Sequence, residues 1–283
     1  MNRRQFGSLV AGALPLASSA LAQDQKVSRK GRLKQGVCGG VFGRGMAFED
    51  QCRHAARLGA QCFDLRNPAE FPIMKKYGLI PTVVGGAMTL SGGCNRKEDH
   101  AEAEKKMHAI IDAIAATGGG SAIALSGNRR GMSDEEGLDN VVAYMNKVKA
   151  HAEDKGVTIC MELLNSKVNH PDYMCDHTKW GVEMVKRVGS PRVKLLYDIY
   201  HMQIMEGDVI RTMRDNLQYI GHLHTAGNPG RNEFDLDTQE LNYRGIAKAI
   251  VDMGYTGYLS HEYSPKYGEA LKVLDEMLTI CDV

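Results

Sequence analysis

Four polar residues in the second half of the chain each close a short apolar run of the kind that forms a buried strand. They are Glu162, Asp198, His224 and Glu262, and neighbours in this series are about one strand plus one helix apart. Three carboxylates brought together in a partly dry site repel one another unless a cation neutralises them. Oxygen-rich coordination with one imidazole suits Mg²⁺ or Mn²⁺ best, with Zn²⁺ or Co²⁺ as alternatives. The pattern therefore predicts a divalent metal site.

Two glutamates at a metal site indicate proton-transfer chemistry. Glu162 and Glu262 would lie on either side of a substrate chelated to the metal, one removing a proton beside a carbonyl and the other returning it. The metal would stabilise the negative charge of the enediolate. Aldose–ketose isomerisation and epimerisation beside a carbonyl both use this chemistry. The predicted partner is accordingly a small molecule, either a hydroxy-keto acid or a sugar.

Three further side chains stand near these positions. His201 follows Asp198 by about one helical turn, and Arg231 lies in a Gly-Asn-Pro-Gly-Arg loop after the run that ends at His224. Both are predicted to bind the substrate, Arg231 through the forked donors that a guanidinium offers. His222 lies two residues before His224 in the same predicted strand, so both side chains point to the same face of the sheet. His222 could line the barrel as a hydrogen-bond partner of a site residue or be a histidine packed in the core, and we favour the packed core histidine.

The elements that position these residues alternate between strands and helices. The predicted strands cover 34–38, 62–65, 80–84, 121–125, 157–163, 193–198, 220–224 and 258–262. The clearest helical periodicity covers 101–116, 138–152, 178–188, 209–217, 243–253 and 270–280. The four candidate ligands therefore stand at or near the carboxyl ends of the last four strands, where barrel enzymes place their active sites.

Eight strands separated by helices predict parallel pairing through right-handed crossovers. We therefore expect one α/β domain, a (β/α)8 TIM barrel, over residues 23–283. A doubly wound open sheet is the alternative, and it would require a glycine-rich phosphate-binding turn after the first strand. Residues 36–40 lack the GxGxxG spacing of that turn. The barrel is the better interpretation.

The first 22 residues differ from the rest of the chain and predict an export signal. Arg3 and Arg4 precede an apolar run that ends in Ala20-Leu21-Ala22, a sequence typical of signal-peptidase sites. The run is too short to span a membrane, so no stable membrane insertion is expected after cleavage. The twin arginine favours the route that carries folded proteins to the periplasm. An ordinary secretory signal that begins with two arginines is the alternative.

Composition excludes some classes of partner. The formal net charge is +1, without the basic excess of a nucleic-acid-binding surface. Seven cysteines are scattered without a CxxC pair, which favours buried free thiols over a disulfide framework. Association into a homo-oligomer stays open at this point.

Residues 197–208, Tyr-Asp-Ile-Tyr-His-Met-Gln-Ile-Met-Glu-Gly-Asp, resemble the signature of the hydroxypyruvate isomerase family. That family belongs to the xylose-isomerase-like barrel superfamily, together with ketose 3-epimerases. Further matching segments are 162–165, 229–231, 240–243 and 262–263. The resemblance is clear over 157–265. It implies that Glu162 and Glu262 are both metal ligands and the acid–base pair, that Asp198 and His224 complete the metal site, and that His201 and Arg231 hold the substrate.

The resemblance leaves several functions open. The first is interconversion of hydroxypyruvate and tartronate semialdehyde. The second is an epimerase or lyase for keto sugars or 3-keto glycosides, which His224 favours because hydroxypyruvate isomerases usually carry Gln there, whereas sugar epimerases carry His. An apurinic endonuclease would need histidines at the ends of the early strands and a basic DNA-binding face. The early strand ends carry no histidine and the net charge is close to zero, so the sequence disfavours this function. A non-catalytic carbohydrate-binding barrel would not need to keep both glutamates.

Overall fold

The computed structural model describes residues 26–235 and 237–283, in which eight parallel strands close into a barrel. The strands are β1 (Lys34–Val37), β2 (Cys62–Asp64), β3 (Ile80–Thr82), β4 (Ser121–Ala124), β5 (Thr158–Leu163), β6 (Val193–Asp198), β7 (Ile220–Thr225) and β8 (Tyr258–His261). Most strand residues are buried, because helices cover the outside of the barrel and side chains fill the inside.

The barrel closes between its third and fourth strands. All other neighbours pair as extended parallel ladders in the order β3-β2-β1-β8-β7-β6-β5-β4. The last gap is bridged at Val84, whose N–H donates to Ser121 O at 2.9 Å and whose carbonyl accepts from the N–H of Ile123 at 3.1 Å. The predicted (β/α)8 barrel is confirmed.

Nine α-helices of the described residues connect and cover the strands. They are α1 (Phe48–Arg57), α2 (Phe71–Lys76), α3 (His100–Ala115), α4 (Asp134–Lys155), α5 (Thr178–Val188), α6 (Ile199–Met205), α7 (Val209–Asn216), α8 (Tyr243–Asp252) and α9 (Ala270–Ile280). The six predicted helices are all present, with α4 longer than expected at both ends. Helices α1, α2 and α6 were not predicted.

Local signals explain where the longest helix begins and ends. The hydroxyl of Ser133 accepts the main-chain N–H of Glu136 at 3.2 Å and so caps the first turn of α4. Gly156 ends the helix with φ +69°, a left-handed conformation that glycine adopts without steric cost. The next residues can then enter β5 directly.

The core has two parts. A large apolar cluster lies between strands and helices, and a small one made of Val83, Ile123, Cys160 and Leu196 fills part of the barrel interior. All seven cysteines are free and buried, as predicted. No helix among the described residues is long and apolar enough to cross a membrane. The predicted export signal, residues 1–22, lies outside the described part of the chain.

Candidate metal centre and active site

Consecutive strands bring the four predicted ligands to one point. Glu162 lies near the end of β5, Asp198 ends β6, His224 is near the end of β7, and Glu262 directly follows β8. Asp198 and His224 are register partners, so the pairing of β6 with β7 sets them side by side. One ligand atom from each of the four residues lies within 4.8 Å of all the others.

His224 stands at the centre of this group with its ring fully buried. Its Nδ1 lies 3.0 Å from Glu262 Oε2, 4.0 Å from Glu162 Oε1 and 4.0 Å from Asp198 Oδ2. None of the described residues forms a hydrogen bond of acceptable geometry with this nitrogen. A buried ring nitrogen that faces three carboxylates and lacks a hydrogen bond fits a divalent cation as its partner.

The carboxylates show the mutual repulsion that a cation would relieve. Burial raises the pKa of Glu162, and the negative charges of Glu262 and Asp198 raise it further. Burial also acts to raise the pKa of Glu262, but His224 and Arg231 outweigh it, and the pKa of that carboxyl is lowered. Of the two glutamates, Glu162 thus favours its neutral form and Glu262 its charged form. The residues fit a bound Mg²⁺, Mn²⁺, Zn²⁺ or Co²⁺ ion.

Asp198 links this centre to His201. Its Oδ1 caps α6 by accepting the main-chain N–H of His201 at 3.1 Å, while its Oδ2 faces the centre. The imidazole Nδ1 of His201 accepts from the main-chain and side-chain N–H groups of Asn165 at 3.1 and 2.6 Å. Burial lowers the pKa of His201 to about 4, so the ring is neutral and carries its proton on Nε2.

That Nε2–H of His201 is buried without a hydrogen-bond partner in the part of the chain that the structure describes. It lies 3.8 Å from Asp198 Oδ2, beyond hydrogen-bond distance. A buried N–H group without an acceptor costs free energy. We therefore expect a substrate oxygen to accept this hydrogen bond when the substrate is bound.

Arg231 reaches the same centre from the loop after β7. Its backbone is left-handed, with φ +55°, and the loop is tied to the segment after β8 because Ser264 N–H donates to Arg231 O at 3.1 Å. The guanidinium lies 2.9 Å from Glu262 Oε2 and 4.0 Å from Asp198 Oδ2. The structure therefore brings all six sequence-predicted site residues together.

Asp64 is a site residue that the sequence analysis did not select. It ends β2, and its Oδ2 lies 2.6 Å from His222 Nε2 and 2.9 Å from His224 Nε2. His222 is buried, as expected of a packed core histidine, and its ring is also hydrogen-bonded to this buried carboxylate. The sequence did contain a pattern that could have indicated Asp64, because this acidic residue ends an apolar run in the same way as the four predicted ligands do. Cys38, after β1, stands within 4.8 Å of Asp64 and His224.

Two cavities open beside the centre, and both are lined by Arg231 and Glu262. One of about 380 Å³ reaches Glu162 and His170, and its wall is largely apolar, including the exposed side chains of Leu65 and Leu90. The other, of about 440 Å³, is lined by polar groups such as Asp64 and Arg66. His170, whose ring lies 5.2 Å from that of His201, is a further wall residue that the sequence analysis missed.

Parts of this chain resemble known proteins in sequence. Residues 52–277 match the family model described as xylose isomerase-like TIM barrel. The chain is 34% identical over 131 residues to the 2-oxo-tetronate isomerase of Cupriavidus necator, which covers 46% of this chain and 48% of that protein. It is 38% identical over 107 residues to the hydroxypyruvate isomerase of Escherichia coli, covering 37% of this chain and 41% of that protein. The matches span less than half of either relative.

The fold itself resembles solved structures over a larger share of the chain. The crystal structure of an AP endonuclease, family 2, from Brucella melitensis superposes with a TM-score of 0.75 over 87% of this chain and 99% of that one. The sequence identity is 22%, so this likeness concerns the fold alone.

Proposed function

Because the chain belongs to the xylose isomerase-like TIM barrel family, we propose that it is a metal-dependent isomerase of a small hydroxy-keto acid. Interconversion of hydroxypyruvate and tartronate semialdehyde is the reaction we favour. The observation that carries the proposal is the cluster of Glu162, Asp198, His224 and Glu262, whose ligand atoms lie within 4.8 Å of one another. The names of the two isomerase relatives support the same class of substrate.

The cluster supplies the groups that the reaction needs. A divalent ion, when bound, supplies Lewis-acid polarisation of the substrate carbonyl. Glu162 comes from β5 and Glu262 from the end of β8, so that one can remove a proton from the hydroxyl-bearing carbon and the other can return a proton to the former carbonyl carbon. The hydroxyl proton moves to the former carbonyl oxygen, so the substrate and product are isomers and no oxidant is needed.

Two further residues would orient the substrate. The unpaired Nε2–H of His201 can donate to a substrate oxygen, because Asn165 keeps the other ring nitrogen occupied as an acceptor. Arg231 can bind the substrate carboxylate with its forked donors, and in this structure the guanidinium is held beside Glu262 at 2.9 Å.

An epimerase or lyase acting on keto sugars or 3-keto glycosides is the second candidate. It is favoured by the size of the two cavities, about 380 and 440 Å³, which exceed what a three-carbon acid needs and fall in the range for larger ligands. The apolar wall that includes Leu65 and Leu90 would suit the less polar part of such a substrate.

Deuterium uptake distinguishes these functions. The protein would be loaded with Mn²⁺ or Mg²⁺ and incubated in D₂O with hydroxy-keto acids, ketoses and 3-keto glycosides, and uptake beside the carbonyl would be followed by mass spectrometry. We expect uptake and product from a hydroxy-keto acid, and loss of both in Glu162→Gln and Glu262→Gln. The matched control is Glu102→Gln, which alters an exposed carboxylate of α3 paired with Lys106.

Each outcome selects one function. Turnover of a keto sugar or a 3-keto glycoside alone would replace the first proposal by the second. Tight binding of one divalent ion with no uptake from any compound would contradict an enzyme of this class and favour a carbohydrate-binding barrel.

We further propose that residues 1–22 direct export to the periplasm through the twin-arginine route, on the sequence pattern alone. Expression in a bacterium with a functional twin-arginine system should yield a periplasmic protein whose first residue is Gln23. Replacing Arg3 and Arg4 by lysine should retain the precursor in the cytoplasm, and continued export of that variant would favour an ordinary secretory signal.

A further inference from the structure

The carboxylate of Asp64 is hydrogen-bonded by several side chains near the candidate metal centre, yet it is not one of the four clustered ligands. Its side chain is fully buried at the end of β2. Oδ2 is shared by the Nε2 atoms of His222 and His224, while Oδ1 accepts from the Thr82 hydroxyl and lies 3.6 Å from Cys62 Sγ. These donors are enough to hold an ionised carboxylate inside the barrel.

The chemistry of these contacts determines the tautomer of His224. An ionised carboxylate only accepts hydrogen bonds, so both histidines must carry a proton on Nε2. With Nε2 protonated, the ring nitrogen left to hold a metal ion in place of a proton is Nδ1. Its lone pair lies on the side that faces Glu162, Asp198 and Glu262, at 4.0, 4.0 and 3.0 Å.

We infer that Asp64 is a positioning residue, which fixes the ring and the tautomer of His224 so that Nδ1 serves the metal. A histidine ligand whose second nitrogen donates to a carboxylate is oriented and made more basic by that contact. This inference rests on the metal centre proposed above and assigns a role to a residue outside its ligand set. His222 acts on the same oxygen and keeps Asp64 in place, because its Nε2 donates to Oδ2 at 2.6 Å.

A second ion held by Cys38, Asp64 and the Nε2 of His224 is the competing interpretation, since these three residues also cluster within 4.8 Å. It would make Asp64 a ligand instead of a positioning residue. Burial favours the neutral thiol of Cys38 by raising its pKa, whereas the thiolate is the form that binds metals. The number of ions bound per chain separates the two interpretations.

A double-mutant cycle tests the inference directly. Mn²⁺ binding would be measured by isothermal titration calorimetry for the wild type, Asp64→Asn, His224→Gln and the double variant. The amide that replaces the carboxylate can donate to Nε2 of His224 and so favours the wrong tautomer, and we expect about 10- to 100-fold weaker binding. In the His224→Gln background the same change should alter affinity roughly twofold or less, because no imidazole remains to be oriented.

The outcomes separate the inference from the proposed function. No ion bound by the wild type would overturn both, while two ions per chain, or equal losses in both backgrounds, would overturn only the positioning role. Asp112→Asn, which removes an exposed carboxylate of α3 paired with Lys155, is the matched control and should leave Mn²⁺ affinity unchanged.

A measurement on the unaltered protein covers the case in which Asp64→Asn fails to fold. With ¹⁵N-labelled histidine and bound Mg²⁺, long-range ¹H–¹⁵N correlation spectra report the tautomer of each ring. We expect His224 to be protonated on Nε2 only. Protonation on Nδ1 in the Mg²⁺-bound protein would overturn the inference.

Discussion

His201 gives a test at the scale of a single residue. Its Nε2–H is buried and unpaired among the described residues, and it is not one of the four clustered ligands. We therefore expect His201→Gln to lower kcat by about 100-fold, the size of effect typical of losing a hydrogen-bond donor to a reacting oxygen. The affinity for Mn²⁺ should stay close to that of the wild type.

Steady-state kinetics and calorimetry together check this prediction. His151→Gln is the matched control, because that imidazole lies on α4 beside Asp112, outside the centre. A parallel fall in kcat and in Mn²⁺ affinity for His201→Gln would instead place His201 in the ion-binding group.

The residues of the candidate centre divide into those that the sequence could indicate and those that it could not. Glu162, Asp198, His224 and Glu262 were predictable because each follows an apolar run, and the ends of parallel strands meet at one rim. The contact of Asp64 with His222 and His224 was not predictable, because it joins the second strand to the seventh across the barrel interior. No local pattern records which inward-facing side chains meet there.

At the scale of elements, an ion pair joins the loops that follow β4 and β5. The guanidinium of Arg129 donates to both carboxylate oxygens of Asp176 at 3.0 and 3.2 Å and to the carbonyl of Met174 at 3.2 Å. Ser166 and His177 also donate to Asp176, at 2.5 and 2.8 Å. This carboxylate therefore holds together the segment that carries Asn165 and His170 beside the centre.

The same carboxylate predicts a pH dependence of stability. Burial acts to raise the pKa of Asp176, but hydrogen bonds from Arg129, Ser166 and His177 outweigh it and lower the pKa. A carboxyl with a lowered pKa in the folded state stabilises the fold fully above its unfolded pKa of about 4. That contribution is lost as the pH falls through the folded pKa.

Urea unfolding of the wild type and Asp176→Asn at a series of pH values measures this contribution. At pH 7 the variant should be less stable by about 2 kcal/mol, the usual effect of losing hydrogen bonds to a charged group. The difference should shrink below pH 4, where protonation weakens the wild type in the same way. A difference that is independent of pH would show that the packing of the side chain, and not its charge, stabilises these loops.

The elements themselves were predictable in proportion to their apolar periodicity. Helices α5 and α9 were predicted with the observed bounds, because each presents several large apolar residues to the barrel. Helix α1 was missed because the residues it fully buries, Cys52 and Ala55, are small and the rest of its sequence is mostly polar. The seven-residue α6 is too short to show a helical repeat, and its start depends on the Asp198 cap.

At the scale of the whole molecule, closing the barrel brings β1 against β2 and β8 with little space between them. Gly36 pairs with Cys62 on one side and Ser260 on the other. A Cβ atom at this position would lie 2.1 Å from Cys62 Sγ and 2.4 Å from Ser260 Oγ, closer than nonbonded atoms can approach. The interior at this level is filled by side chains from neighbouring strands.

This packing connects the stability of the barrel to its candidate centre. Gly36→Ala should lower the free energy of unfolding by about 1–3 kcal/mol through overpacking, measured by urea unfolding. It should also weaken Mn²⁺ binding, because the displaced Cys62 side chain lies 3.6 Å from Asp64 Oδ1. Gly119→Ala is the matched control, since a Cβ there has no described atom within 4 Å apart from its neighbours in the chain. Normal Mn²⁺ affinity in a destabilised Gly36→Ala variant would show that the inner layer supports the fold without positioning the centre.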